Sequence, residues 1–525
     1  MLYCPSADAN RAPLRFFCAA GATFLRKKGR PLIERSAGIL LPLSSLPSPH
    51  GIGTMGKAAY DFADFLAAAG QKYWQLLPLG PTGCGDSPYQ SFSSLAGNPY
   101  FIDLDLLVED GLLTREEVNG RDWGADPRRV DYGRLYENRF ALLETAKARG
   151  FARDREAVAA FEAENAHWLP DYALFMALKR HFHMKPWNEW DEDIRLRKSA
   201  GVIAHYRELL RDDAELFTYI QFLFFRQWAA LRDYVHARGI RIIGDLPIYT
   251  AMDSADVWAE PEMFRLDPQG HPTEVAGVPP DYFSAEGQLW GNPLYDYAAM
   301  ARDGYGWWIR RVGGAQKLCD VLRIDHFRGF ASYWSVPYGE TTAKGGHWVK
   351  GPGMALVGVL TGWFQDLDFI AEDLGAPSEE VTALLEASKL PGMKVLEFAF
   401  DPETLSDYLP HNCGENSVCY TGTHDNSPLA LWREEADEGE LAFAKAYLGL
   451  NDEEGFCEGI IRGGMSCESR LFIAQMQDYL GLGKGCRMNT PGTSSGNWQW
   501  RLLPGEASEA LAGRIRETSR IYGRL

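Results

Sequence analysis

VLRIDHFRGF (residues 321–330) is an apolar run that ends at Ile324 and is followed at once by an Asp, a His and, two positions later, an Arg. No turn residue separates the apolar part from the polar part. A surface loop accounts for such a pattern, and so does a strand of a parallel sheet whose last residue faces a ligand. The rest of the chain decides between the two.

Seven short apolar runs along the chain are candidate strands. They begin at residues 37 (AGILLPLSSLP), 72 (KYWQLLPLGP), 240 (IRIIGDLPIY), 318 (LCDVLRIDHF), 367 (LDFIAEDLG), 392 (GMKVLEFAF) and 416 (NSVCYTGTHD). Several are rich in Val, Ile and Leu without alternation, which is typical of strands covered on both faces. Helical segments lie between them, such as the amphipathic stretch that Gly70 ends.

This alternation of strands and helices predicts an α/β fold, a closed (β/α)8 TIM barrel. We expect the eighth strand near GKGCRMNTPG (residues 483–492). A doubly wound open sheet is the alternative, but the chain has no G-x-x-x-x-G-K-S/T loop for the phosphate ligands that such sheets commonly bind. The barrel is therefore the preferred fold.

Four segments define the predicted domain organisation. Residues 1–35 are a basic extension, and residues 36–525 form the barrel. Residues 105–235 are charged and helix-rich over a length too great for a βα loop, so they are predicted to form an inserted helical subdomain. Residues 254–295 are rich in Pro, Gly and aromatic residues without periodicity, which indicates a large lid loop at the active site.

The composition narrows the class of ligand. The 525-residue chain carries a formal net charge of -18, which argues against nucleic acid as a partner because that binding depends on clustered Lys and Arg. Aromatic residues make up 13% of the chain, with 16 Trp and 23 Tyr. Flat rings beside polar groups suit sugars, whose faces are apolar and whose edges carry hydroxyls. Packing in the core accounts for many of these rings.

Cysteine spacing and hydropathy favour a cytoplasmic protein without a metal. The nine cysteines include no C-x-x-C pair and no His at zinc-ligand spacing, so we interpret them as reduced thiols and expect neither metal nor cofactor. No run approaches the roughly 20 apolar residues of a membrane helix. The extension at 1–35 is nearly free of acids, which also allows a plastid location if it acts as a transit peptide.

Four of the candidate strands end in acid. These acids are Asp245, Asp325, the pair Glu372 and Asp373, and Asp425. In a barrel the ends of parallel strands meet at one mouth, where convergent carboxylates repel and one of them stays protonated. Cleavage of a glycosidic bond requires one ionised carboxylate and one protonated carboxylic acid. A single Asp after a strand is usually a cap or turn residue, but acids at the ends of four strands favour a catalytic role. Of these acids, Asp373 is the one expected to have a structural role.

Four basic residues accompany these acids. Arg323 lies two residues before Asp325 and so on the same face of its strand, where its charge is expected to hold that carboxylate ionised. A buried ion pair without chemistry is the alternative. His424, a candidate donor to a sugar hydroxyl, is equally consistent with a structural role. His326 and Arg328 lie past the strand end, either in contact with sugar or holding the loop.

Long motifs along the chain carry a specific resemblance. They include GILLPLSSLPSPHGIG, WQLLPLGPTGCGDSPYQSFSSLAGNPYFIDL, GDLPIYTAMDSADVW, VAGVPPDYFSAEGQLWGNPLY, RIDHFRGF, IAEDLG, PGMKVLEFAF, YTGTHDN and RMNTPGTSSGNWQWR. From about Ser36 to the C-terminus the chain resembles glycoside hydrolase family 77, the 4-α-glucanotransferases or amylomaltases, which are relatives of the α-amylases. The resemblance implies a (β/α)8 barrel with inserted subdomains and no C-terminal β-sandwich.

The resemblance also implies residue roles. Asp325 matches the family's nucleophile, Glu372 its general acid/base, and Asp425 its transition-state-stabilising carboxylate. The remaining matches are substrate-binding positions: Arg323, His424 and Tyr89 at the transferred sugar, Asp245 at the first amylase-type motif, and Tyr282, Phe283, Trp290 and Asn292 in the lid over the acceptor.

The implied reaction is transfer of a segment of an α-1,4-glucan to the 4-hydroxyl of another glucan with retention. Maltooligosaccharides are the implied substrates, with glucose as acceptor or product, in starch, glycogen or maltodextrin metabolism. A hydrolase would use the same residues, so it stays an alternative. A non-catalytic glycan-binding protein is the alternative from a different class.

Overall fold

The computed structural model describes residues 33–280, 284–375, 378–493 and 495–525, without the side chain of Cys84. In this part of the chain there are twelve strands: β1 (Ser36–Leu40), β2 (Tyr73–Gln75), β3 (Arg241–Leu246), β4 (Glu274–Val278), β5 (Gln288–Pro293), β6 (Val321–Ile324), β7 (Ser332–Pro337), β8 (His347–Lys350), β9 (Asp368–Ala371), β10 (Gly392–Val395), β11 (Ser417–Tyr420) and β12 (Leu471–Gln475). Eight of them form one sheet in the order β10-β11-β12-β1-β2-β3-β6-β9.

This eight-stranded sheet is parallel throughout and closes on itself. Asp245 of β3 pairs with Arg323 of β6, and all other neighbours in the sheet also run parallel. The two outer strands meet because the N–H of Ala371, at the end of β9, donates to the carbonyl of Pro391, just before β10, at 2.9 Å. The predicted (β/α)8 barrel is therefore confirmed, and an open doubly wound sheet is excluded.

Successive residues of each barrel strand face opposite sides, as the pleat requires. In β6, Val321 packs inside the barrel with residues such as Ile243 of β3, whereas Leu322 and Ile324 pack outside it against the helices. Arg323 therefore continues the inward face of β6. Apolar and polar residues do not alternate along these strands because both faces of each strand pack against apolar neighbours.

All seven predicted strands form, but the expected position of the eighth is wrong. The eighth strand is β12, which lies between β11 and β1 with all five of its residues buried. Residues 483–492, where we expected it, form no strand. That segment is polar and rich in Gly, and it runs past the loop that follows β11, where the N–H of Asn489 donates to the carbonyl of His424 at 3.2 Å.

The other four strands form an antiparallel sheet in the order β5-β4-β7-β8. The first two belong to the segment 254–295, which the sequence indicated only as an aperiodic loop. Strand β4 pairs on its other side with β7, which comes more than 30 residues later in the chain; the pairing runs from Glu274 opposite Pro337 to Gly277 opposite Trp334. The segment predicted to form a lid is thus partly a sheet, whose pairing is not visible in local sequence.

Nineteen α-helices occur in the described residues. They are α1 (Lys57–Ala68), α2 (Leu104–Glu109), α3 (Arg115–Asn119), α4 (Tyr132–Gly150), α5 (Arg155–Glu164), α6 (Leu169–His181), α7 (Glu192–Arg195), α8 (Ala200–Leu209), α9 (Arg211–Ala237), α10 (Ala255–Ala259), α11 (Tyr297–Arg302), α12 (Gly306–Gln316), α13 (Met354–Trp363), α14 (Glu379–Ser388), α15 (Leu429–Glu435), α16 (Glu438–Leu448), α17 (Phe456–Ser466), α18 (Met476–Tyr479) and α19 (Glu509–Ile521). Helices α2 to α9 fill the interval between β2 and β3.

Helix α1 shows how local sequence sets an element. It buries Phe62, Ala63 and Leu66 on one face. It ends because Gly70 takes a left-handed conformation with φ of 71°, which lets the N–H of Gln71 donate to the carbonyl of Leu66 at 2.9 Å. The chain then enters β2 directly.

The glycines of GIGTMG (residues 51–56) just before α1 have the spacing of a dinucleotide-binding turn. Their surroundings give them a packing role instead. A Cβ on Gly53 would lie 2.0 Å from the carbonyl oxygen of Leu43, and one on Gly56 would lie 1.9 Å from Oδ2 of Asp103. Only glycine permits these close approaches.

The remaining fold predictions concern the two ends of the chain. After β12, residues 476–493 and 495–525 form α18 and α19 and no further strand, so they contain no C-terminal β-sandwich. In the described residues no helix is long and apolar enough to cross a membrane. Most of the predicted extension at 1–35 lies outside the described residues; Ile33, which is described, packs inside the barrel.

Candidate active site

The acidic residues at the four strand ends meet at one mouth of the barrel. Asp245 is in β3, Asp325 and Glu372 directly follow β6 and β9, and Asp425 lies in the loop after β11. The N–H of Glu372 donates to the carbonyl of Ile324 at 3.1 Å, so the strand pairing continues to the level of these side chains. The structure thus brings together the carboxylates that the sequence grouped by position alone.

Arg323 joins three of these carboxylates. Its Nη1 lies 2.7 Å from both carboxylate oxygens of Asp245 and 3.2 Å from Oδ1 of Asp325, and its Nη2 lies 3.5 Å from Oε2 of Glu372. The Arg323 side chain is 3% exposed and that of Asp245 is fully buried. One buried guanidinium therefore neutralises part of a cluster of three acids.

The pKa values of two of these acids lie near neutrality. Burial raises the pKa of Asp325 to about 7; Arg323 opposes the rise, whereas Asp245 and Asp425 add to it. Burial raises the pKa of Glu372 to about 8, opposed by Arg323 and increased by the charge of Asp325. We expected the charge of Arg323 to hold Asp325 ionised. Instead its charge is divided, because Asp245 takes the closer contacts.

Burial raises the pKa of Glu372 far above its ordinary value, so at neutral pH this carboxyl group keeps its proton more readily than an exposed Glu does. The backbone N–H of His326 donates to its Oε2 at 2.5 Å. His326 reaches this position in a left-handed conformation with φ of 46°. The turn directly after β6 therefore fixes the Glu372 carboxyl group, which follows the neighbouring strand β9.

Tyr89 and His424 stack beside the acids. Their ring centroids are 5.0 Å apart at an angle of 18°, and the Tyr89 hydroxyl donates to Oδ2 of Asp245 at 2.7 Å. Burial lowers the pKa of His424, so its imidazole is neutral at neutral pH. The ring of Trp498 lies 5.8 Å from Tyr89 and 5.9 Å from His424. Trp498 is a member of this aromatic wall that sequence reasoning missed.

Two more residues that the sequence did not single out hold Asp425. Asn489 Nδ2 donates to Oδ1 of Asp425 at 2.6 Å, and Arg487 Nη2 donates to its carbonyl oxygen at 2.6 Å. His424 Nε2 is 3.4 Å from the same Oδ1. Both new residues lie in the segment 483–492. The only feature of the sequence that could have indicated them is the polar run RMN (residues 487–489) within a Gly- and Pro-rich stretch.

Of the four residues predicted to lie in the lid, two belong to the described part of the chain. Trp290 packs edge-on against the His326 ring with a centroid distance of 4.8 Å, and the buried Asn292 donates from Nδ2 to the carbonyl of Thr250 at 2.8 Å. Tyr282 and Phe283 lie outside the described residues.

The structure also gives contacts for the two basic residues after β6. His326 meets Trp290, and the guanidinium of Arg328 lies 4.7 Å from the ring centroid of Trp348 in β8. Asp373 accepts a hydrogen bond from the Met393 N–H at 2.7 Å, which agrees with the structural role expected for it. In the described residues no group of three or more His, Cys, Asp or Glu side chains is arranged to hold a metal ion.

Comparisons with known proteins identify one family. A family model described as 4-alpha-glucanotransferase matches residues 41–506. The chain is 46% identical over 484 residues to the 4-alpha-glucanotransferase of Clostridium butyricum, covering 92% of this chain and 99% of that protein. It is 47% identical over 504 residues to the Thermus thermophilus 4-alpha-glucanotransferase, covering 94% of this chain and 100% of that protein.

A solved structure shows the same architecture. The amylomaltase from Streptococcus agalactiae in complex with acarbose is 40% identical, with a TM-score of 0.91, and the match covers 94% of this chain and 100% of that one. These findings confirm the resemblance that the motifs carried. The chain belongs to glycoside hydrolase family 77, the 4-alpha-glucanotransferases.

Proposed function

We propose that this protein transfers segments of α-1,4-glucans to acceptor sugars with retention, with Asp325 as nucleophile and Glu372 as general acid/base. The observation that carries the proposal is the contact of one buried guanidinium, that of Arg323, with both of these carboxyl groups. A retaining enzyme needs its two carboxyl groups close together, whereas an inverting enzyme needs room between them for a water molecule.

In the first step, a carboxylate oxygen of Asp325 attacks the anomeric carbon of the donor glucan. The bond from this carbon to the departing glycosidic oxygen breaks, and Glu372 gives its proton to that oxygen. The result is a glucosyl ester on Asp325. The raised pKa of Glu372 supports its role as proton donor.

In the second step, the 4-hydroxyl of an acceptor sugar returns a proton to Glu372 and attacks the anomeric carbon. The ester bond breaks, and the Asp325 carboxylate is released. Asp425, held by Asn489 and Arg487, is proposed to bind hydroxyls of the distorted ring and to hold them more tightly as charge develops. Arg323, Tyr89, Asp245 and His424 are proposed to complete the subsite of the transferred sugar.

Water competes with the acceptor sugar for the glucosyl ester. We propose that the segment 254–295 acts as a lid, with Trp290, Asn292, Tyr282 and Phe283 on the acceptor side. Trp290 supports this role because its ring contacts His326, the residue that donates to Glu372. An aromatic lid favours a sugar over water by binding its apolar face.

The proposed substrates are maltooligosaccharides and longer α-1,4-glucans, with glucose as acceptor or product. We further propose that α2 to α9 form an inserted helical subdomain. We expect starch, glycogen or maltodextrin to supply the substrates, in the cytoplasm or, if residues 1–35 act as a transit peptide, in a plastid.

Incubation with maltotriose tests the function. We expect a ladder of longer and shorter oligosaccharides together with glucose. Products that are only shorter than maltotriose would favour the hydrolase alternative. Asp325→Asn should lose nearly all turnover yet still bind acarbose, the compound bound by the Streptococcus relative. Unchanged action of Asp325→Asn on maltotriose would overturn the proposed nucleophile.

A further inference from the structure

Two buried acids lie behind the loop that carries Asp425. Glu397 is in the short helical turn directly after β10, and Asp478 is in α18; their exposed fractions are 8% and 1%. Neither has a part in the proposed transfer reaction. Both form hydrogen bonds with residues 421–429, the segment after β11, which we call the Asp425 loop.

Asp478 holds the two ends of the Asp425 loop. The hydroxyl of Thr421 donates to its Oδ2 at 2.5 Å, and the N–H of Leu429 donates to its Oδ1 at 2.8 Å. Both oxygens of this carboxyl group are therefore used to close the loop. This role accounts for Asp478 without any further function.

Glu397 holds the middle of the loop instead. Asn426 Nδ2 donates to Glu397 Oε2 at 3.3 Å, and Asn426 Oδ1 accepts from the N–H and the hydroxyl of Thr423, both at 2.9 Å. Because a backbone N–H can only donate, Asn426 must present its oxygen to Thr423 and its NH₂ group to Glu397. The N–H of Asp425 donates to the Thr423 hydroxyl oxygen at 3.2 Å. A continuous path of hydrogen bonds thus leads from Glu397 to the backbone of Asp425.

The carboxyl group of Glu397 also packs against the backbone of the loop. A Cβ on Gly422 would lie 2.5 Å from Glu397 Oε1 and 2.9 Å from Nε2 of Gln475, the last residue of β12. A side chain at position 422 would displace one of these groups, so the close approach requires glycine. The Asp425 loop is therefore shaped to fit the carboxyl group behind it.

The surroundings of Glu397 favour a neutral carboxyl group. Its Oε2 accepts from an amide, and its Oε1 has no hydrogen-bond partner among the described residues, so neither oxygen forms a hydrogen bond with a cation. Burial raises the pKa of Glu397 well above its ordinary value, and the charge of Asp478 adds to the rise. The amide of Asn426 and the charge of Arg487 oppose this rise, whereas the charge of Glu435 increases it. A buried acid without a cation beside it keeps its proton.

Asp425 depends on such support because the barrel does not enclose its side chain. That side chain is 46% exposed at the mouth, where Asn489 donates to one of its carboxylate oxygens. Its backbone is held at the carbonyl by Arg487 and at the N–H by Thr423. The contact with Thr423 is the one that leads back to Glu397.

We propose that Glu397 is a positioning residue, whose neutral carboxyl group fixes Asn426 and through it the backbone that presents Asp425 to the distorted sugar ring. This inference rests on the proposed function, in which Asp425 binds that ring most tightly in the transition state. Glu397 acts through Asp425 and is not itself a catalytic residue. Its contribution is to keep the Asp425 carboxylate in place as charge develops on the sugar.

Glu397→Ala tests this role by steady-state kinetics on maltotriose, well below the unfolding temperature. The change leaves Asn426 Nδ2 without its partner, so kcat should fall about tenfold or more with little change in KM. Glu397→Gln keeps a neutral side chain of the same length, whose oxygen can accept from Asn426, and should retain most of kcat. Asp103→Ala, which removes a buried acid that caps α2, is the matched control. It should lower the unfolding temperature and leave kcat unchanged.

A double-mutant cycle separates the positioning of Asp425 from a general loss of structure. In an Asp425→Asn background the carboxylate is already gone, so Glu397→Ala should change the remaining kcat by no more than about twofold. Labelled maltotriose makes this slow turnover measurable. Equal factors of loss in the two backgrounds would show that Glu397 does not act through Asp425 and would overturn the proposal.

Asn426→Ala removes the same link from its other end and serves if Glu397→Ala fails to fold. It should reproduce the loss of kcat and the dependence of that loss on Asp425. Unchanged kcat in either alanine variant would overturn the proposal, and a loss in Glu397→Gln as large as in Glu397→Ala would contradict the neutral carboxyl group. The unaltered protein tests the proposed function separately, because a failure of that function appears as the absence of oligosaccharides longer than maltotriose.

Discussion

Arg323 Nη1 lies 2.7 Å from both carboxylate oxygens of Asp245 but 3.2 Å from Asp325. The buried arginine is therefore bound more closely by a residue that takes no covalent part in the proposed reaction than by the proposed nucleophile. Asp245 acts on Asp325 in two ways, because it repels the neighbouring carboxylate and also occupies the cation that would stabilise it. This arrangement adds to the effect of burial, which is the largest cause of the rise in the pKa of Asp325 to about 7.

Asp245→Asn should consequently lower the pKa of Asp325. A cation close to a carboxylate lowers its pKa by about 1–3 units, and the variant returns Arg323 to Asp325. Because the nucleophile must be ionised, the acid limb of the pH profile of kcat/KM should move to lower pH by about one unit or more. Asp320→Asn removes the same charge just before the opposite end of β6 and should leave the limb in place. An unmoved limb in Asp245→Asn would contradict this account.

Glu372→Gln should stabilise the protein at alkaline pH. The pKa of Glu372 in the folded state, about 8, is above its ordinary value of 4.5, so the folded state binds this proton more tightly than the unfolded state does. The stabilisation is complete below pH 4.5 and is lost as pH rises through about 8. Gln stays neutral throughout and avoids this loss.

The measurement is the thermal unfolding temperature of both proteins at about pH 5 and about pH 9, on either side of the pKa of Glu372. We expect the variant to exceed the unaltered protein by a few degrees only at the higher pH. Glu380→Gln, on the exposed side of α14, is the matched control and should show no such dependence. An equal difference at both pH values would argue that packing, rather than ionisation, is responsible.

The barrel and its acids were predictable because both follow from local rules. A parallel strand buried on two faces must be an unbroken apolar run, and a residue directly after such a strand must lie at the mouth. VLRID satisfies both conditions, and Arg323 follows from the two-residue period of the strand. The eighth strand, LFIAQ, is also an unbroken apolar run. Its last residue is Gln475 rather than an acid, so it lacked the strand-end acid by which the other mouth residues were recognised.

The residues that support Asp425 could not be found by these rules. Asn489 and Arg487 reach it because the segment after β12 returns across the mouth, and no period or apolar run sets where such a return passes. The antiparallel sheet was missed for the same reason, since β4 pairs with β7 from another part of the chain. Trp498 could not be predicted for the same reason, because its ring contacts that of Tyr89, a residue more than 400 positions earlier in the sequence.

Asn489→Ala should reduce kcat more than it raises KM. Its Nδ2 donates to Asp425 at 2.6 Å, and a hydrogen bond to a charged group contributes about 1.5–3 kcal/mol. If Asp425 binds the ring most tightly in the transition state, losing this orientation costs about 10- to 100-fold in kcat. The comparison uses steady-state kinetics on maltotriose with Asn451→Ala, a change at an exposed Asn, as the control. A rise in KM with constant kcat would place the interaction in ground-state binding instead.

Trp290→Ala should raise the ratio of hydrolysis to transfer. The Trp290 ring, which packs 4.8 Å from the ring of His326, is the described aromatic residue of the proposed acceptor side. Its removal opens the glucosyl ester to water and takes away a sugar-binding face, so reducing sugar released from maltotriose should increase relative to oligosaccharides longer than the substrate. Trp363→Ala is the matched control, since that Trp is 62% exposed at the end of α13. Hydrolysis and transfer falling by the same factor would show that Trp290 supports the reaction as a whole and does not select the acceptor.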